Sequence, residues 1–323
     1  MNISNIGAAR ATEARSASAI AAAVAAILVA AAPAQAAGPI PGAPIPGRYA
    51  DDAGAAARIE AADRLRTLSH EVASAACHLH GGVAPEQSRA LLVEAKADFV
   101  RIQAALREGD AEWGIPDAEH DRRILADLDS LAETWVPVQS DLLALMGDAS
   151  AVDALARVKA ASEELHAKSH HLQQTVTGRY ANPVELLASD AILLDVAGRQ
   201  AALTQKIAKE ACEVWTGNRS EDRLSALSAS ADLFEAGIRA LHDGMPELGI
   251  RAAPSPGIRF ALAEVMTDWE IVRADLELIA AGEVEDAVKA DLYARLNAKM
   301  YALEDLVHAY VEFSKREATA VGN

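Results

Sequence analysis

One internal shift constrains this chain more than any other feature. Moving the sequence by 135 residues carries Arg64 to Arg199, Leu68 to Leu203, Cys77 to Cys212, Phe99 to Phe234 and Leu106 to Leu241. The same shift carries Gly109 to Gly244 and Gly114-Ile115 to Gly249-Ile250, and Trp135 meets Trp269 after a one-residue deletion. Chance does not hold register over both cysteines, both phenylalanines and the glycine turns. The chain is therefore two copies of one unit, and the fold of the unit is the fold of the protein.

That unit reads as helical. Aromatics are only 4% of the 323 residues, while apolar types reach 51%, much of it alanine. Alanine is the best helix former, and sheets draw on β-branched and aromatic residues. Four helical segments are expected at roughly 51–81, 86–108, 119–146 and 149–178, and four more at roughly 184–216, 219–243, 256–281 and 283–317. The breaks fall where Gly and Pro end helices: Gly81-Gly82, Gly109 to Pro116, Gly147-Asp148, Gly217-Asn218, Gly244 to Pro256 and Gly282, with Gly178 and Asn182-Pro183 between the copies. The expected fold class is all-α: two tandem up-down-up-down four-helix bundles related by internal duplication, over 51–180 and 184–317.

The N-terminus reads as an address. Arg10 and Arg15 precede an apolar, Ala-rich run from Ala17 to Ala32, and Ala34-Gln35-Ala36 supplies a small-x-small cleavage pattern. A signal peptide over 1–36 is expected, with an uncleaved N-terminal anchor as the other reading, and 37–50 is a Pro/Gly-rich linker. Localisation is accordingly periplasmic or secreted. No later stretch is long and apolar enough to span a bilayer. The net charge of −17 argues against a nucleic-acid partner, which needs a concentrated basic surface.

The strongest local signature opens the second copy: Ala197-Gly198-Arg199-Gln200-Ala201-Ala202-Leu203-Thr204-Gln205-Lys206-Ile207-Ala208-Lys209. Its counterpart in the first copy is Ala62-Asp63-Arg64-Leu65-Arg66-Thr67-Leu68-Ser69-His70. The box resembles that of the PilJ/NarX-like sensor domain, the periplasmic N-terminal part of type IV pili methyl-accepting chemotaxis transducers and of nitrate/nitrite sensor kinases. The resemblance covers most of 190–315 and, more weakly, 58–175. It implies a helical bundle that senses a small anion such as nitrate or nitrite, and a membrane sensor or chemotaxis protein as partner. In the nitrate sensors, an arginine in the box binds the anion between the first helices of two subunits. That position is Arg66 in the first copy and Ala201 in the second, while Arg64 and Arg199 hold the other box arginine in both. A later basic position is Lys206 in the second copy and Glu71 in the first. The ligand-binding candidates are Arg64, Arg66, Arg199 and Gln200, with Arg66 as main ligand.

The helical wheel divides the box in two. Leu65, Leu68, Val72, Ala76 and Leu79 share a core face, matched by Gln200, Leu203, Ile207, Ala211 and Val214. Roughly opposite run Arg66, His70, Ala73 and Cys77, matched by Ala201, Gln205, Ala208 and Cys212. An even number of helices returns the chain to its starting end, so the two first helices are expected to lie parallel and meet along these stripes. One chain then imitates the two-subunit sensor. A solvated Ala-rich face gives the same pattern. On the meeting-stripe reading a Cys77–Cys212 disulfide becomes available in an oxidising compartment; two separately packed thiols are the alternative.

Other constellations are weak. Cys77, His78 and His80 cannot converge on one ion from a helix and read as a helix end at the surface. His166, His170 and His171 include an i,i+4 pair that can bind a metal, and Glu163-x-x-His166 resembles half of a di-iron motif, but Asn297 stands where His166 would repeat. Asp117 to Asp121 reads as a solvated helix start. No metal, cofactor or catalytic set is expected, so the chain is not read as an enzyme. The function expected is an exported sensory, ligand-binding bundle; the alternative is a structural or protein–protein interaction module without a small-molecule ligand.

Overall fold

A computed structural model describes residues 54–180, 188–217, 219–282 and 284–321. The leader at 1–36, the linker at 37–50 and Asn182-Pro183 lie outside the described residues. Eight α-helices are present among the described residues: α1 (Ala55–His80), α2 (Pro85–Glu108), α3 (Arg122–Gly147), α4 (Val152–Tyr180), α5 (Ala188–Thr216), α6 (Glu221–Asp243), α7 (Pro256–Ala281) and α8 (Asp286–Val321). Within each set of four, consecutive helices pack together and the last returns to the first, giving two antiparallel four-helix bundles.

Local chemistry explains the boundaries. Ser220 and Ser255 cap α6 and α7 by accepting from the backbone N–H of Arg223 and Ile258, and Pro256 occupies the first turn of α7. The α2–α3 and α6–α7 turns are copies of each other. Gly109 and Gly244 stop their helices at φ 84° and 85°, where any Cβ would also crowd the backbone of Asp117 or Ala252. A backbone bridge then closes each turn, Asp110 with Ile115 and Met245 with Ile250. The stretch before α3 departs from a solvated start. Asp121 caps the helix, but Glu119 is buried, accepting from the Tyr180 hydroxyl at 2.8 Å and facing Arg58 at 3.6 Å. A tyrosine and an arginine supply the partners that let this carboxylate leave water.

Each bundle has its own apolar core, and each repeats an aromatic pair, Phe99 on Trp135 and Phe234 on Trp269, with ring centroids 3.9 and 4.3 Å apart. The bundles join through α1 and α5. Arg66, His70, Ala73 and Cys77 are buried, as are Ala201, Gln205, Ala208 and Cys212, so these stripes are a contact surface rather than a solvated face. Equivalent residues meet along it. A Cβ on Gly198 would collide with the carboxylate of its own counterpart, Asp63, and farther along Cys77 and Cys212 are joined by a disulfide with Cα atoms 6.1 Å apart. Contact at the same 135-residue separation at both ends makes α1 and α5 parallel and in register. His78 is a correction to the helix-end reading: it is buried, stacked on Tyr293 at 3.6 Å, with Nδ1 bonded to the Ser74 carbonyl. The second bundle covers a helix end that a single bundle would leave in water.

Candidate functional site

About three turns from the disulfide, the α1–α5 seam changes from small apolar residues to charge. The Arg66 side chain is fully buried. It donates to Asp195 Oδ1 at 2.9 Å and also pairs with Asp63, one turn earlier on its own helix. Arg199 holds the other oxygen of Asp195, at 2.8 and 2.9 Å. Burial alone opposes ionisation of Asp195, but Arg66 and Arg199 together outweigh it and hold its carboxyl below the usual range. Asp63 goes the other way: burial dominates and raises it, despite Arg66.

His170, from α4, is wedged between the two guanidiniums. Its Nδ1 lies 3.4 Å from Arg66 Nη1 and its Nε2 lies 3.4 Å from Arg199 Nη2. A neutral imidazole has one acceptor nitrogen, so one of these contacts sets N–H against N–H. Burial, then Arg199 and Arg66, push His170 down to about 4. His166 is pushed to about 3 by burial and by Arg66, and it stacks on His70 at 4.4 Å. Burial also holds His70 well below its ordinary value. All three rings are neutral at pH 7.

These groups border a cavity of about 190 Å³ between α1, α4, α5 and α6. Arg66, Arg199, His70, His166 and His170 cluster on its wall, and Gln200, Glu163 and Lys206 also line it. Val196, Ala202, Leu203 and Leu233 supply its apolar surface, and Gly237 makes room for the Gln200 amide. Arg66 Nε, His70 Nδ1 and Gln200 Oε1 are buried and carry no hydrogen-bond partner. Unpartnered buried polar atoms on three lining residues are costly unless something else meets them.

Three of the four residues singled out from the sequence, Arg66, Arg199 and Gln200, therefore come together here. Arg64 does not join them. It points to the other side of the seam, where Glu71 at 2.8 Å, Glu304 at 2.7 Å and Asp98 at 3.8 Å enclose it. The wheel explains why: Arg64 and Arg66 are two positions apart on a helix and cannot face the same way. The sequence singles out neither Asp195 nor Gly237, and it marks His170 only as one of an i,i+4 histidine pair. Asp195 sits one turn before Arg199 and is legible as an i,i+4 pair. Gly237 is legible against its counterpart Ile102, since Gln200 likewise replaces Leu65. Where the first copy buries Leu65 and Ile102, the second has Gln200 and Gly237, and a Cβ on Gly237 would collide with the Gln200 amide.

The sequence profile described as "PilJ: Type IV pili methyl-accepting chemotaxis transducer N-term" matches residues 50–177 and again 186–294. The chain belongs to the PilJ family. The first match covers the first bundle and the second runs from before α5 into the first turns of α8, so the duplication read from the residues is a tandem pair of PilJ matches. No curated protein matches the chain. Among the described residues no helix is long and apolar enough to cross a membrane, and no three His, Cys, Asp or Glu side chains stand as a metal-ligating group.

Proposed function

We propose that this tandem PilJ protein is an exported sensory bundle that binds a small anion in the cavity between α1 and α5 and passes the signal to a separate membrane sensor or chemotaxis protein. The observation that carries the reading is the burial of Arg66 against a cavity, with Nε unpartnered and Arg199 beside it. A guanidinium stays charged when buried and presents a planar fork suited to oxygen anions. The α1–α5 pair supplies within one chain the seam that the sensor family makes from two subunits. The N-terminal leader read from the sequence supports a periplasmic or secreted location. The role proposed is binding.

The second reading, an interaction module without a small ligand, is favoured by one specific observation: Asp63 and Asp195 already occupy both arms of Arg66. A thermal-shift series with nitrate, nitrite and other small monoanions separates the two readings. A ligand that binds only the folded state raises the melting temperature in proportion to RT ln(1 + [L]/Kd). The sensory reading expects a rise that Arg66→Ala abolishes. No rise with any anion, or a rise that survives Arg66→Ala, contradicts it.

A further inference from the structure

The wall of the cavity narrows the class of ligand. Compared with the first copy, α5 and α6 differ at four positions around it. Leu233 stands where the first copy has Asp98, Gly237 where it has Ile102, Ala202 where it has Thr67 and Gln200 where it has Leu65. Two of these differences leave polar groups out of the wall, and the other two are coupled, since the Gln200 amide lies against Gly237. The result is a mixed cavity: the donors of the arginine and histidine cluster and an unpartnered amide oxygen on part of the wall, aliphatic carbon from Val196, Ala202, Leu203 and Leu233 on the rest.

An inorganic oxyanion does not suit it. Such an ion needs hydrogen-bond donors on every side once it leaves water, and oxygens turned toward Val196, Leu203 and Leu233 would find none. The cavity of about 190 Å³ also has room for several waters, far more than an ion the size of nitrate fills. Charge sets a second limit. Arg66 and Arg199 face Asp63 and Asp195, Lys209 faces Glu163, and Lys206 lies 3.7 Å from Glu210. The cations are matched, so a dianion would be buried without compensation. A single negative charge adds the smallest unmatched charge, and an anion set among the two guanidiniums and His170 gives the donors that face each other a common acceptor.

We infer that the cavity takes an organic monocarboxylate with an apolar body, its carboxylate at Arg66 and Arg199 and its body along Val196, Leu203 and Leu233. The inference rests on the anion-binding reading and specifies it. Acetate has the same head and almost no body, so it is the natural reference.

Isothermal titration of the folded chain with hexanoate, benzoate, acetate and nitrate tests it. Hexanoate or benzoate should bind at least about tenfold more tightly than acetate or nitrate, because only the body buries apolar surface. Leu233 is half-buried at the wall, so Leu233→Trp fills the body end while leaving the fold intact. That variant should weaken hexanoate by about tenfold and leave acetate unchanged. If nitrate and acetate bind as well as hexanoate, or if Leu233→Trp leaves hexanoate untouched, the inference is overturned while the anion-binding reading stands. If no anion binds, both fall.

Discussion

The two sides of the α1–α5 seam began as the same surface and have diverged into opposites. On one side Arg64 is enclosed by Glu71, Glu304 and Asp98. On the other, its counterpart Arg199 shares Asp195 with Arg66 beside a cavity. The box arginine is common to both. What differs is the surroundings: Glu71 against Lys206, Asp98 against Leu233, Ile102 against Gly237. In a homodimer both sides must be identical. Duplication within one chain removes that constraint: both sides border a cavity, but on one the arginine is ringed by acids, while on the other two arginines stand with neutral histidines and an apolar wall.

Breaking the seam itself should have the largest effect. The Cys77–Cys212 bridge spans 135 residues, and the chain-entropy model assigns a loop of that size about 4–5 kcal/mol as an upper value. Replacing both cysteines with serine should lower stability toward that figure in denaturant melts and weaken ligand binding, because α1 and α5 lose their pin. Next comes the closed side. Arg64→Ala strands the buried Glu71 and should cost about 3 kcal/mol in urea unfolding, with ligand affinity nearly unchanged.

The open side should respond in the reverse sense. Restoring the first copy's pair with Gln200→Leu and Gly237→Ile removes unmet polar atoms and fills space. Stability should rise by about 1–2 kcal/mol while ligand binding is lost. A loss of both would mean that the two sides do not repack alike.

Protons sharpen the contrast further, with smaller effects of about 1 kcal/mol per pH unit. His170 and His166 have folded values near 4 and 3, below the ordinary 6.5. The unfolded chain protonates first, so their contribution is complete above pH 6.5 and is lost as pH falls toward 4. Glu304 is pushed up to about 7, chiefly by burial, from an ordinary 4.5. The folded state therefore holds its proton longer, and stability declines as pH rises from 4.5 to 7. The two windows overlap with opposite signs, so variants separate them: His170→Asn should weaken the rise of melting temperature between pH 4 and 6.5, and Glu304→Gln should steepen it.

Much of this was legible in the residues. All eight helices follow from alanine-rich periodicity and from Gly, Pro and Ser at the breaks, because those residues act through local backbone geometry. The stripes ending at Cys77 and Cys212 were legible because a parallel in-register pair brings equivalent positions together. Other features required the partner bundle. His78 looked like a surface histidine until Tyr293 covered it. The wheel sets Arg64 apart from Arg66, but the acid that meets it there, Glu304, comes from α8 of the other bundle. His170 comes from α4, remote in sequence from the box, and only the packed seam sets it between Arg66 and Arg199.

One side of the seam accepts an anion and its counterpart, ringed by acids, does not. Bromide tests this without reference to any organic body, because its anomalous scattering locates it directly in a soaked crystal. Bromide should lie against Arg66 and Arg199 and not against Arg64. Bromide at Arg64, or at neither arginine pair, would contradict it.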